Sequence, residues 1–185
     1  EYNFKIREEF KPKLLWVRSF AEIYNPFLAI QLLESLLKDY SDAELFMVGP
    51  KKDDSFEKCM MYVEKHKLPV HFTGKLDKKA WHALSKDCDY FINTSKIDNT
   101  PVSIVEAMAL GLPILSSNVG GIPFLIEDQV DGILYENREL KDLLSKTIDL
   151  LKNPSKSTNI SLKARQKVEK FDWEIVKKLW LNMLS

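Results

Sequence analysis

Short apolar segments alternate with amphipathic segments along most of the chain. The apolar segments indicate strands, because nearly every position is hydrophobic, as in strands that are covered on both faces. The predicted strands are 13–17, 44–48, 70–73, 90–93, 113–115 and 133–135. The segments between them have apolar residues at helical spacing, as Phe27, Ile30 and Leu33 do after the first strand. The pattern therefore predicts strand–helix units that repeat along the chain.

Repeated strand–helix units predict an α/β fold for residues 1–185, taken as a single domain. Such units give parallel strands with right-handed crossovers. We therefore expect a Rossmann-like, doubly wound parallel sheet of about six strands with helices on both faces. Ligands of such sheets bind beyond the carboxyl ends of the strands, where the strand order reverses. The informative loops are 18–25, 49–55, 74–77, 94–100 and 116–123.

Capping residues predict where several helices begin and end. Asn25 and Asp77 each precede a helical stretch and are predicted to cap it, with Pro26 in the first helical position after Asn25. A helix is predicted from Pro101 to Leu110, and Gly111 is expected to end it in a left-handed conformation. Two further helices are predicted near 157–167 and 172–184.

Composition and charge are those of a soluble globular protein. Hydrophobic residues make up 45% of the chain, and 27 basic residues balance 27 acidic ones. The sequence lacks the basic excess that would indicate a nucleic-acid partner. No apolar run reaches the roughly 20 residues of a membrane span. Cys59 and Cys88 are interpreted as reduced thiols of a cytoplasmic protein. The three histidines lack metal-ligand spacing and are interpreted as surface residues. Because the chain begins with Glu1, we expect a piece of a longer protein.

The polar loop before the helix of residues 101–110 is the strongest candidate site. Thr100 is predicted to cap this helix, with Pro101 in the first position. The amides of Val102 and Ser103 would then lie unpaired at the positive end of the helix dipole, which favours a diphosphate. The hydroxyls of Thr100 and Ser103 would add hydrogen-bond donors.

Two carboxylates flank this helix start. Asp98 precedes the helix, and Glu106 lies inside it. Carboxylate oxygens accept hydrogen bonds in pairs, as neighbouring sugar hydroxyls donate them. An anion site beside two acids therefore favours a ligand that contains both phosphate and sugar.

The sequence around Glu106 resembles a known family signature. The run Glu-Ala-Met-Ala-Leu-Gly-Leu-Pro at 106–113, with an acid at Asp98, resembles that of retaining glycosyltransferases of the GT-B fold, family 4 (group 1). The segment 120–123 resembles the family's Gly-Gly-x-Pro, and 131–132 and 171–173 resemble later signatures. The matches are collinear and cover nearly the whole chain.

The resemblance implies the C-terminal, donor-binding half of a two-domain enzyme. That enzyme would transfer a sugar from a UDP- or GDP-sugar to an acceptor with retention, in polysaccharide or glycoconjugate synthesis. Its partner would be the missing N-terminal domain, and the chain alone is expected to transfer no sugar. No metal or other cofactor is implied. The implied location is the cytoplasm, and contact of the whole enzyme with the inner membrane face stays open.

The resemblance also assigns roles to individual residues. Glu106 would hold the ribose hydroxyls of the nucleotide, and Asp98 would hold hydroxyls of the donor sugar. The other residues implied near the diphosphate or the base are Arg18, Gly74, Lys75, Thr100, Val102 and Ser103. The apolar stripe of Trp173, Trp180 and Met183 is interpreted as packing, although the family's last helix often crosses to the other domain.

Three features depart from the family pattern. Asp98 stands where Glu is commoner, no lysine follows Arg18 within residues 19–26, and Phe124 replaces the acid that often follows Gly-Gly-x-Pro. Two alternatives stay open. A nucleotide-sugar epimerase of GT-B architecture would need acid and base groups in the cleft. A degenerate, non-catalytic transferase module would be compatible with the absent lysine.

Overall fold

Six parallel strands form one sheet in the computed structural model, which describes residues 2–136 and 139–184. The strands are β1 (Lys13–Val17), β2 (Glu44–Val48), β3 (Val70–Gly74), β4 (Tyr90–Asn93), β5 (Ile114–Ser117) and β6 (Ile133–Tyr135). Their order across the sheet is β3-β2-β1-β4-β5-β6, and all five neighbouring pairs are parallel. The predicted Rossmann-like, doubly wound sheet is confirmed.

Helices cover both faces of this sheet. They are α1 (Pro26–Leu36), α2 (Ser55–His66), α3 (Lys78–Leu84), α4 (Val102–Leu110), α5 (Ile122–Leu125), α6 (Leu140–Lys152), α7 (Pro154–Glu169) and α8 (Trp173–Leu184). Alternate residues of β1 enter two different buried clusters, Leu14 and Trp16 in one and Leu15 in the other. The first cluster includes residues of α1, α2 and α6, and the second includes residues of α3, α4 and α7. The alternation along the strand therefore produces two apolar cores.

Two of the predicted side-chain caps are wrong. Asn25 precedes α1, but its φ is 47° and its side chain bonds no helix amide, because a 3₁₀ turn at Glu22–Tyr24 leads the chain into the left-handed region. Helix α4 begins at Val102, so Pro101, with a ψ of 112°, takes the cap position predicted for Thr100. The residue before a proline is held extended, which delays the helix.

Other predicted boundaries agree closely with the structure. Asp77 caps α3 by accepting a 2.8 Å hydrogen bond from the Ala80 amide, and Gly111 ends α4 with a φ of 84°. Strand β5 extends to Ser117, because Ser116 and Ser117 pair with β6. Helix α7 begins at Pro154 rather than near 157, and the short helix α5 was not predicted. Both cysteines are buried free thiols, as predicted.

A buried polar row lies at the carboxyl ends of β4, β5 and β6. Asn93 Nδ2 donates to Ser116 Oγ at 2.9 Å, and Ser117 Oγ donates to the Ser95 carbonyl at 2.7 Å. Tyr135 OH donates to the Asn93 carbonyl at 3.0 Å. All five residues are at most 1% exposed. Buried groups that bond each other in this way fix the strand ends relative to one another.

The N-terminal segment, residues 2–12, is attached to the domain by Arg7. The guanidinium is 3% exposed and donates to the carbonyls of Ser85 (2.7 Å), Cys88 (3.0 Å) and Gly111 (2.8 Å). Asp89 lies 3.7 Å from Nε and offsets part of the charge. This arrangement holds the segment against the ends of α3 and α4.

Candidate functional site

The loops after β1 and β4 meet where the strand order reverses. Thr94 Oγ1 accepts from Trp16 Nε1 at 2.9 Å and donates to the Tyr24 carbonyl at 2.8 Å. The Lys96 amide donates to the Ile23 carbonyl at 2.8 Å. Hydrogen bonds thus join the two loops that the sequence places beside a ligand, and this junction is the switch point of the sheet.

Arg18 and Asp98 form an ion pair across the switch point. Arg18 Nη2 bonds Asp98 Oδ2, and the two side chains are only 18% and 12% exposed. Ser95 Oγ donates to the same carboxylate oxygen at 3.0 Å. The guanidinium lies 5.0 Å from the centre of the Tyr24 ring, but its Nε is buried without a hydrogen-bond partner. One donor of Arg18 is therefore unused by the protein itself.

The start of α4 presents a second unused polar group at this junction. The Pro101 carbonyl accepts from the amides of Ile104 and Val105, which begins the helical hydrogen bonding. Ser103 Oγ is buried and has no hydrogen-bond partner, whereas the Val102 side chain is 63% exposed. Buried polar groups without a partner are rare and costly. Ser103 Oγ and Arg18 Nε thus mark the place where a polar ligand would be stabilised.

Glu106 is buried and already has two partners. The residue is 5% exposed, Lys78 Nζ lies 2.7 Å from Oε1, and Tyr2 OH donates to the same oxygen at 3.1 Å. The hydrogen bond to Glu106 raises the pKa of Lys78. Burial, then the Glu106 charge, raises the pKa of Tyr2. Lys78 is 69% exposed, so it reaches Glu106 from solvent and can move away from it.

His82 lies beside this carboxylate and is not the surface histidine that the sequence indicated. Its ring centre lies 5.1 Å from that of Tyr2 and 4.4 Å from that of Trp81. Nε2 is buried without a hydrogen-bond partner, and burial lowers the pKa of the ring. The side chains around Glu106 therefore include an unpartnered nitrogen, on a ring that contacts the rings of Tyr2 and Trp81.

The glycine pair 120–121 lets two loops pack backbone to backbone. The Gly121 amide donates to the Asp98 carbonyl at 3.0 Å. A Cβ on Gly120 would lie 2.0 Å from that carbonyl oxygen, and one on Gly121 would lie 2.4 Å from the Asn99 carbonyl oxygen. The glycines therefore fix the position of the Asp98 loop. Phe124, three residues further on, is 93% exposed.

The other sequence-derived candidates are Gly74 and Lys75, which lie at the edge of the sheet, and Thr100, which lies in the loop after β4. Gly74 ends the edge strand β3, where its carbonyl accepts from the Gly49 amide at 2.9 Å, and Lys75 follows it as an exposed residue. Thr100 is exposed in the loop before α4. Sequence reasoning missed Tyr2, Lys78 and His82. Of these three, only Lys78 has a signal in the sequence, because it follows the cap residue Asp77.

Asp98 and Glu106 do not act on a common partner in the structure. Arg18 and Ser95 bond Asp98, whereas Lys78 and Tyr2 bond Glu106. The sequence-derived acids thus occupy two parts of one edge. Asp98 lies in the loop four residues before α4, and Glu106 is the fifth residue of α4. An elongated ligand suits this arrangement better than a small one.

A cleft of about 430 Å³ opens beside the switch point, between the loops after β1 and β2. Its lining residues are Glu22, Asn25, Pro26, Phe27, Asp53, Asp54, Ser55 and Lys58. Within residues 2–136 and 139–184, no group of three or more His, Cys, Asp or Glu side chains is placed to hold a metal ion. None of the described helices is both long enough and apolar enough to traverse a bilayer.

The fold and this edge define a Rossmann-like α/β protein whose polar site lies at the switch point of a doubly wound sheet. The family model described as glycosyl transferases group 1 matches residues 1–167, and the chain belongs to that family. The architecture is that of GT-B glycosyltransferase structures.

Individual relatives agree with this assignment. The chain is 30% identical over 150 residues to the sulfoquinovosyl transferase SQD2 of Arabidopsis thaliana. The matched stretch covers 78% of this chain and 28% of that protein. Anabaena HepE, in a crystal structure with UDP and glucose, superposes with a TM-score of 0.81 at 20% identity over 96% of this chain and 48% of that one. The C-terminal domain of the group 1 glycosyl transferase LpcC from Francisella tularensis superposes with a TM-score of 0.76 at 16% identity. The superposition covers 88% of this chain and 87% of that one.

Proposed function

We propose that this chain is the donor-binding domain of a retaining, family 4 glycosyltransferase that uses a nucleoside diphosphate sugar. The observation that carries the proposal is the pair of buried, unpartnered groups at the switch point, Arg18 Nε and Ser103 Oγ. Both can donate a hydrogen bond. Arg18 bonds Asp98 in the loop before α4, and Ser103 lies in the first turn of α4, where a helix start favours an anion. The UDP in the HepE structure supports a nucleoside diphosphate as that anion.

The diphosphate would lie at the start of α4. Arg18 supplies a positive charge, and Ser103 and the first amides of the helix supply donors, with Val102 and Thr100 beside them. A diphosphate leaving group gains negative charge as the bond to the sugar breaks, so groups arranged beforehand around it lower the barrier. In this proposal Arg18 and the helix end take the role that a metal ion has in other transferases.

The two acids would hold the two sugar units on either side of the diphosphate. Glu106 would accept from the ribose hydroxyls and would exchange Lys78 or Tyr2 for them. Asp98, oriented by Arg18 and Ser95, would accept from hydroxyls of the donor sugar. The base would border the Gly74–Lys75 loop, on the Lys78 side of the site.

The whole enzyme requires more chain than the part described. The chain spans 28% of SQD2 and 52% of another curated relative that it matches. We propose that an N-terminal domain of the same protein binds the acceptor and that the whole enzyme works in the cytoplasm, in polysaccharide or glycoconjugate synthesis. The chain alone then binds nucleotide weakly and transfers no sugar.

Calorimetry with UDP and GDP on residues 1–185 tests the proposal. We expect weak binding of one nucleotide by the wild type and a loss of about 10-fold or more in Glu106→Ala, since a charge-assisted hydrogen bond is lost. Glu106→Gln separates charge from packing, and Glu57→Ala, an exposed glutamate on α2, is the control. Thermal denaturation of each variant verifies folding.

Either of two results would overturn the proposed site. One is that the wild type binds neither nucleotide at millimolar concentration. The other is that Glu106→Ala and Glu57→Ala bind equally well. Sugar transfer by residues 1–185 alone would contradict the claim that a further domain is required.

A further inference from the structure

The proposed diphosphate site has little net positive charge in its ligand-free form. Arg18 is paired with Asp98, so the two side chains together are neutral. A nucleoside diphosphate brings at least two negative charges to this place, and burying unmatched charge is costly. A second cation is therefore expected close to the switch point.

Lys96 is placed on the loop that bears Asp98. Its amide donates to the Ile23 carbonyl at 2.8 Å, so its backbone lies against the loop that follows Arg18. The preceding residue, Ser95, bonds the Asp98 carboxylate and is itself fixed by Ser117. The Lys96 backbone is therefore held at the junction by contacts on both sides.

The ammonium group of Lys96 is held by an exposed acid. Nζ lies 2.9 Å from Glu22 Oε1, and the side chains are 23% and 82% exposed, respectively. An ion pair with such an exposed partner contributes little to stability, because water readily solvates the carboxylate after separation. A lysine has a flexible stem of four carbons, so its charge can be moved without a change in the backbone.

Other lysines of this edge are less well placed. Lys75 follows β3, which is separated from β1 by β2, so it lies two strand spacings, or about 10 Å, from the Arg18 strand. Lys78 bonds Glu106, at the part of the site assigned to the ribose. Lys96 lies three residues after the end of β4, one of the two strands that form the switch point.

We propose that Lys96 is the second cation of the diphosphate site and that Glu22 holds its ammonium until a nucleotide binds. The inference rests on the proposed function and adds a residue to it. Binding exchanges an exposed ion pair for a charge-assisted hydrogen bond to phosphate, which is the stronger interaction. Glu22 then acts as an internal competitor of the ligand.

Titrations of the 185-residue chain with UDP, UMP and uridine test this inference; the guanine series replaces them if GDP is the preferred nucleotide. We expect Lys96→Met to weaken UDP binding by about 10-fold and uridine binding by less than about 2-fold, because only the diphosphate contact is lost. Lys96→Arg should retain most of the UDP affinity. Lys65→Met, at an exposed lysine near the C-terminal end of α2, is the control and should have little effect on either ligand.

A double-mutant cycle with Glu22 tests the competition. We expect Glu22→Gln to tighten UDP binding in the wild type and to leave it unchanged in Lys96→Met, because the competitor acts only through that lysine. Glu57→Gln removes a nearby negative charge without touching Lys96 and should change the affinity less than Glu22→Gln does.

The outcomes separate this inference from the proposed function. If the wild type binds UDP and Glu106→Ala does not, while Lys96→Met binds normally, the inference is wrong and the donor site stands. Glu22→Gln could instead tighten UDP binding equally in the wild type and in Lys96→Met. The carboxylate of Glu22 would then act on the ligand by long-range electrostatics, and the proposed competition for Lys96 would be wrong. If the wild type binds no nucleotide, the proposed function itself is wrong.

Discussion

Single polar residues at the switch point are occupied by partners within the protein. Asp98 bonds Arg18, Glu106 bonds Lys78, and Lys96 bonds Glu22. Each acid or base that we assign to the ligand is thus neutralised before the ligand arrives. The cost of holding charges at a partly buried edge is reduced in this way, and binding becomes an exchange of partners.

Gly120 is a residue at which a single methyl group should damage the site. We expect Gly120→Ala to lower the free energy of unfolding by about 2 kcal/mol and to weaken nucleotide binding, because its Cβ would displace the Asp98 loop. Urea denaturation and calorimetry measure the two effects.

Gly74→Ala is the matched control for that substitution. Gly74 also has a positive φ, of 70°, but a Cβ there meets no atom within 4 Å. We expect a cost of about 1 kcal/mol from backbone strain alone. Equal costs for the two substitutions would show that the contact between the loops is unimportant.

The site residues that the sequence predicts belong to a local motif. Asp98, Ser103 and Glu106 lie within nine positions of one another, so their spacing on a loop and a helix is readable. Tyr2 and Lys78 contact Glu106 from 104 and 28 positions away, and no pattern encodes those contacts. The glycine pair was recognised, but its partner, the backbone of the Asp98 loop, was not.

At the level of elements, the strands were easier to predict than the helix starts. An apolar run shows directly that a strand is covered on both faces. A helix start depends on the conformation of the preceding residues, and the 3₁₀ turn before α1 and the proline before α4 each overrode the expected cap. The predicted caps failed where backbone geometry, rather than side-chain type, decided the outcome.

The N-terminal segment offers a test at this scale. We expect Arg7→Met to lower the free energy of unfolding by about 3 kcal/mol, because three carbonyls lose a buried, charged donor. Urea denaturation measures the loss. Lys5→Met is the control within the same segment, since its hydrogen bond to the Lys86 carbonyl is exposed. Similar losses in both variants would mean that Arg7 does not attach the segment.

The whole molecule has one apolar surface that the described residues leave uncovered. On α8 and just before it, Phe171, Trp173, Trp180 and Met183 are 48%, 66%, 58% and 80% exposed, respectively. The stripe of Trp173, Trp180 and Met183, which the sequence assigned to packing, is therefore mostly exposed among the described residues. Exposed apolar patches of this kind mark contact surfaces, and the longer relatives favour a further part of the enzyme as the cover.

Trp180→Gln tests whether that surface supports the domain. We expect the free energy of unfolding of residues 1–185 to change by less than about 0.5 kcal/mol, because the indole is largely in water already. Urea denaturation measures the change. Trp81→Gln, at a residue that is 4% exposed, is the control and should cost about 3 kcal/mol or more. Comparable losses in the two variants would contradict an uncovered surface.

The buried polar row beneath the switch point has a consequence for turnover. Hydrogen bonds among fully buried groups at the ends of β4, β5 and β6 break only when much of the domain unfolds, which is far rarer than a catalytic cycle. The distances between the loop origins therefore stay constant while substrates come and go. In the proposed site, the groups that would move are the long side chains of Lys78 and Lys96. The donor would then be held at constant distances while only these two charges change partners.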